Sequence, residues 1–167
     1  MHSYTTNNLS DSNIDKLIKE SEVFVEGNVK YTEYIERIAL KKVFSGKNVG
    51  FIAPRFRDVS FFLNYVSQNE IAKNWIVDKK ESEITFLTGK LFGATAERPS
   101  QLFGKTIDVA IFNVYASSYS MLGAYKNVLN ALWYCPQKFW FIEKGYSKQE
   151  ELSKREFFRN LLEKDLP

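Results

Sequence analysis

The chain has 167 residues, a formal net charge of +3 and a pI near 8.8, with 44% hydrophobic, 16% aromatic and 26% charged residues. That length corresponds to one domain at roughly 100–200 residues each, and the basicity falls short of the pI above about 9 with clustered Lys and Arg that marks nucleic-acid binders. The single cysteine, Cys135, excludes an internal disulfide and a Cys-based zinc site, and the single histidine, His2, in a polar N-terminal stretch, excludes acid–base chemistry by His.

Residues 1–12 read as a flexible polar tail with neither a basic n-region nor an apolar h-region. No apolar run approaches the roughly 18 residues of a membrane span. The expected location is therefore cytoplasmic, that of the host cell if a phage encodes the chain, without membrane association. Residues 13–167 read as a single domain. Ser12 opens a first helix, with Asp15 as a weak capping-box partner and Ile14, Leu17 and Ile18 on one face. Val23-Phe24-Val25 is a short β-prone run, followed by a turn at Glu26-Gly27-Asn28. From Tyr31 to Phe44 the apolar positions follow helical spacing until Gly46.

Asn48 to Pro54 reads as a strand, and Asp58 as the N-cap of a helix running to about Asn69 on Val59, Phe62, Leu63 and Val66. After a polar stretch with Trp75, Glu83–Leu87 and Lys90–Ala94 flank Thr88-Gly89 as a hairpin. A polar loop spans Ala96 to Gly104. The strand Asp108 to Phe112 follows, then a serine-rich loop and a helix through Leu122, Tyr125, Leu129, Leu132 and Trp133 that ends at Pro136. Cys135, in this aromatic run, reads as a buried thiol. Lys138 to Ile142 is another buried-looking strand, and Ser147 with Glu150 caps a last helix whose Phe157 and Phe158 fall on its apolar stripe. Alternating strands and helices define an α/β fold: a mainly parallel sheet with helices on both faces and a β-hairpin insertion.

Over residues 22–145 this succession resembles the ATPase core of phage large terminase subunits and, more loosely, the first core domain of two-core helicases. Val23–Val25, Tyr31–Phe44, Val49–Arg57, Ile84–Ala94, Gly104 and Val109–Asn113 occupy, in order, the places of that family's elements. The resemblance implies a P-loop NTPase-like fold. It also implies degenerate nucleotide-site positions at Lys30, Thr32 and Asn113.

A phosphate loop needs two spaced glycines, a Lys and a following hydroxyl. Gly27-Asn28-Val29-Lys30-Tyr31-Thr32 keeps Lys30 but has Val29 at the second glycine, Tyr31 at the hydroxyl and too short a spacing. Phe103 stands where terminases commonly place an Arg before the Gly. Asn113 and Val114 stand where the acidic pair should hold magnesium and orient water, which neither an amide nor an aliphatic chain can do. Three separate requirements of hydrolysis are missing, so the expectation is a non-enzymatic protein with no cofactor and no metal site. The alternative is an α/β domain whose likeness to ATPases is accidental.

Arg55 and Arg57, after the Val49 strand, and Arg98 and Lys105, in the loop before Asp108, are the nucleic-acid-binding candidates, because phosphate contacts need accessible cations near the ligand-binding edge of the sheet. Their plain alternative is a solvated loop snorkelling over the core. Lys41, Lys42 and Lys47 are explained by a helix C-terminus. The leading reading is a phage regulatory protein contacting DNA or host RNA polymerase, since the Asn-, Lys-, Ile- and Phe-rich sequence suggests an AT-rich genome. Size and basicity are similar to the host-transcription terminators of T4-like phages. A rival reading is an ATPase or nuclease with unusual ligands among Glu97, Asp108, Glu143 and Asp58; a third is a structural or assembly subunit.

Overall fold

The computed structural model describes residues 11–25, 31–114, 122–142 and 151–163. In chain order these form helix α1 (Asp11–Glu20), strand β1 (Ser21–Val25), helix α2 (Tyr31–Phe44), strand β2 (Val49–Ala53), helix α3 (Phe56–Ser67), strands β3 (Ile76–Lys80), β4 (Glu83–Phe86), β5 (Lys90–Thr95) and β6 (Val109–Asn113), helix α4 (Leu122–Ala131), strand β7 (Gln137–Ile142) and helix α5 (Glu151–Glu163). The strands make one sheet in the order β1-β7-β6-β2-β5-β4-β3. The first five of that order are parallel, and β4 and β3 turn antiparallel at one edge.

Strands covered on both faces carry near-continuous apolar runs, and Val49-Gly50-Phe51-Ile52-Ala53 is buried at every position. Alternation along each strand divides the core. Val49, Phe51, Val109, Ile111, Phe139 and Phe141 face α2 and α3, while Ile52, Ala110, Phe112, Trp140 and Ile142 face α1, α4 and α5. On the second face Phe112 stacks on Trp140 at 4.0 Å, and Phe157 and Phe158 of α5 meet the indole edge-on at 5.6 Å. Fully burying a Phe side chain contributes about 1.5–3 kcal/mol, so this aromatic cluster is a large share of the second face's stability. The Phe157–Phe158 pair is thus core, as its position on the apolar stripe predicts.

Two glycines fix the helices against the sheet. Gly46, at φ 91°, ends α2 with its N–H donating to the Val43 carbonyl and the Lys47 N–H to the Lys42 carbonyl, the paired bonds of a Schellman motif. Gly93 lies under α3, where a Cβ would come within 2.4 Å of Val59 Cγ1. The helix can cross β5 there only because no side chain intervenes.

Three details differ from the sequence expectation. The α3 helix starts at Phe56, not at Asp58: Arg55 occupies the N-cap in an extended conformation, and the Asp58 carboxylate accepts from the Arg55 Nε instead of capping the backbone. The polar stretch after Trp75 contains the edge strand β3, which alternation did not disclose because four of its five residues are exposed and its register slips between Ile76 and Asp78. A third difference is small: α1 begins at Asp11. The Ser147–Glu150 capping box and the turn at Glu26 lie outside the described residues.

Candidate functional site

The parallel strands β1, β7, β6, β2 and β5 all point their C-terminal ends to one edge of the sheet, the edge where open α/β sheets bind ligands. There β2 delivers Arg55, β6 ends on Asn113, and the first turn of α2 presents Thr32. These three converge on one cavity of about 270 Å³, completed by Ile35, Phe51, Asp58, Phe61 and Phe62. Phe51 and Phe62 stack at 4.2 Å. The Arg55 side chain is 52% exposed and holds Asp58 through its Nε at 3.2 Å. Phe61 is 60% exposed and stacks on Tyr65 at 6.1 Å.

Asn113 is the chemical oddity of the cavity. Its backbone carbonyl accepts from the Tyr125 hydroxyl at 2.6 Å, but its Oδ1 is buried and has no hydrogen-bond partner among the described residues. Leaving such an acceptor unpaired costs about 1–3 kcal/mol. The next residue, Val114, is fully buried in the core beneath α4 and donates its N–H to the Phe141 carbonyl at 2.8 Å. The end of β6 thus offers one neutral amide and one aliphatic chain. The one carboxylate among the described residues lining the cavity, Asp58, is held by Arg55.

The other sequence candidates scatter. Arg57 lies in the first turn of α3, exposed, but outside the cavity lining. Arg98 is exposed just past β5, its N–H donating to Thr95 Oγ1 at 3.1 Å. Lys105 lies elsewhere. Its Nζ sits 5.3 Å from the Phe92 ring centroid and 3.9 Å from Glu83, and its carbonyl accepts from the Tyr134 hydroxyl. It lines a second groove with Phe103 and Tyr134, so it does not share a surface with Arg55. Lys30 and Glu143 fall outside the described residues.

The rival carboxylates do not assemble. Asp108 accepts the Asn48 N–H at the opposite edge of the sheet, and Glu97 is exposed after β5. Among the described residues no three His, Cys, Asp or Glu side chains are placed to hold a metal ion. Cys135 is buried, as expected, and burial pushes its thiol above the usual range. On the outer side of α2 and α3, burial raises the Glu36 carboxyl, offset by a hydrogen bond from Asn69 and reinforced by Glu33. None of the described helices is long and apolar enough to cross a membrane.

Sequence reasoning missed Phe61. The α3 stripe is Val59, Phe62, Leu63 and Val66, and an aromatic lying off such a stripe was the available signal.

This sheet order and connectivity define an α/β fold, a mostly parallel seven-stranded sheet with helices on both faces. More narrowly, the chain has the fold of a phage large terminase ATPase domain. It superposes on the Thermus phage P74-26 large terminase ATPase domain, in an arginine-to-alanine mutant, with a TM-score of 0.56 and 14% identity over 84% of this chain and 71% of that one. A second structure of the same Thermus phage domain gives a TM-score of 0.52 and 14% identity over 86% and 72%. No family model and no curated protein matches the sequence.

Proposed function

We propose that the chain is a non-enzymatic phage regulatory protein on a terminase-like ATPase fold, contacting DNA, host RNA polymerase or both to shut off host transcription. The observation that carries this reading is the end of β6. In hydrolysing members of such folds a first carboxylate holds the metal and a second orients water; here Asn113 is neutral and Val114 is buried under α4. What survives at that edge suits binding. Arg55, Arg57 and Arg98 are exposed cations near the strand ends, and cations of this kind supply the salt-dependent phosphate contacts of DNA-binding proteins. In size and basicity the chain is similar to Alc, the host transcription terminator of T4-like phages that acts with RNA polymerase on unmodified DNA.

The test is transcription by host RNA polymerase on unmodified DNA with purified protein, run beside an ATP turnover assay. Premature termination without ATP hydrolysis is the expected result. Magnesium-dependent ATP turnover that is lost in Lys30→Ala would overturn the non-enzymatic reading, and recovery of capsid or packaging proteins alone from a pull-down would favour an assembly role.

A further inference from the structure

The outer face of α2 and α3 carries its charged and apolar groups in an order that is complementary to the same face reversed. α2 leads from β1 to β2 and α3 leaves β2, so the two helices run in the same direction over a parallel part of the sheet. Along α2, Glu33, Arg37 and Lys41 recur every four residues and all three are exposed. Glu33 and Arg37 have the spacing of a helical ion pair, yet among the described residues none of the three is in one. Glu36 lies next to Arg37 in the groove between the helices. The face is thus acidic at its start and basic at its finish. Apolar groups mark the same two ends. Phe61, 60% exposed, lies beside Thr32 and Ile35 at the start of α2, and Ile71, 66% exposed, lies beside Lys41 and Phe44 at its finish. Singly such side chains are ordinary on a surface, but these two bracket the charged row.

We propose that this face pairs with the same face of a second copy of the chain across a two-fold axis, with α2 antiparallel to α2. Glu33 then meets Lys41 of the second copy, Arg37 meets Glu36 of the second copy, and Phe61 meets Ile71 of the second copy, each contact being made twice. The two charge pairs share a midpoint at Arg37, as an isologous interface requires of every residue pair it contains. The helix dipole accounts for the sign of the charge at each end of α2. Its consequence is that a reversed copy sets opposite charges together, whereas a parallel copy would set like charges together, which an interface rejects. Two helices of this length present a face about 20 Å by 20 Å, about 400 Å² per copy. That is the low end for specific interfaces, so the dimer exchanges with monomer in about the micromolar range. The inference is independent of the preceding section and holds whether or not the chain binds DNA.

The experiment is sedimentation velocity on the purified chain from about 1 µM to about 500 µM. A reversible monomer–dimer equilibrium with no larger species is expected. Glu33→Lys brings two cations together at each end of the interface and should weaken the dimer about ten-fold or more; Lys41→Glu does the same with two anions. Both changes in one chain should restore the dimer. Mixing the two single variants should restore it as well, because each repels itself and complements the other. Both positions are exposed, so the core is left in place, and far-UV circular dichroism checks that. Ile71→Ser should weaken the dimer by a smaller factor. A monomer over the whole range overturns the proposal, and so does a dimer that Glu33→Lys leaves unchanged. Single variants that dissociate but are not restored by mixing would overturn the antiparallel register. Species that keep growing past the dimer would mean a head-to-tail contact and overturn the two-fold.

Discussion

At the N-terminal ends of the parallel strands the polar groups are matched, whereas at their C-terminal ends one is left without a partner. On the first edge Lys138, fully buried, donates to Glu20 Oε1 at 2.8 Å and to the Cys135 carbonyl at 2.5 Å. Asn48 joins three elements: its N–H donates to Asp108, its Nδ2 to the Thr106 carbonyl, and its Oδ1 accepts from Lys90. Trp140 Nε1 donates to Ser21 Oγ at 3.1 Å. On the second edge Asn113 Oδ1 has no partner among the described residues and Arg55 is half in water. The difference separates polar groups that tie the strands together from one whose burial costs stability, and each such exception in a native structure asks for an explanation.

The largest expected effect tests the matched edge. Lys138→Ala strands the Cys135 carbonyl and removes the charge opposite Glu20, so it should cost about 3 kcal/mol, as breaking a buried ion pair does. Lys138→Met keeps the stem and removes the ion, and should cost less. Urea unfolding midpoints read both. A loss below about 1 kcal/mol for the alanine variant would mean that the pair adds little and that hydrophobic burial alone holds this edge.

Much of this frame is legible in the sequence, and the reasons it stops are physical. β2, β6 and β7 announce themselves because central parallel strands must be apolar on both faces. β3 does not, because an edge strand is free to carry Asp78, Lys79 and Lys80 in water. Thr32, Arg55 and Asn113 were each visible as single residues. Their convergence was not, since it depends on three parallel strands ending level. Lys138 reads as the first residue of an apolar run, and no local pattern says that Glu20, 118 positions earlier, arrives to neutralise it. Phe61 was legible as an aromatic off the α3 stripe, but nothing local in the sequence places it beside Asn113.

A smaller effect sharpens the comparison at Asp108. Its carboxylate accepts the Asn48 N–H at 2.9 Å in a partly buried setting, and hydrogen bonds to charged acceptors contribute about 1.5–3 kcal/mol. Asp108→Ala should therefore cost about 1.5 kcal/mol in urea unfolding, and Asp108→Asn, which keeps an acceptor oxygen, should recover most of it. Equal losses for the two variants would show that the charge itself, not the bond to Asn48, matters there.

The smallest effect has the opposite sign and lies on the open edge. Replacing an unpaired buried acceptor with an apolar group of similar size removes its desolvation penalty, so Asn113→Leu should raise stability by about 1 kcal/mol where every polar deletion on the other edge lowers it. The Tyr125 bond survives because it is made to the Asn113 backbone carbonyl. A destabilised one would mean that Oδ1 already has a donor in solution, and the contrast between the two edges would then be one of position alone.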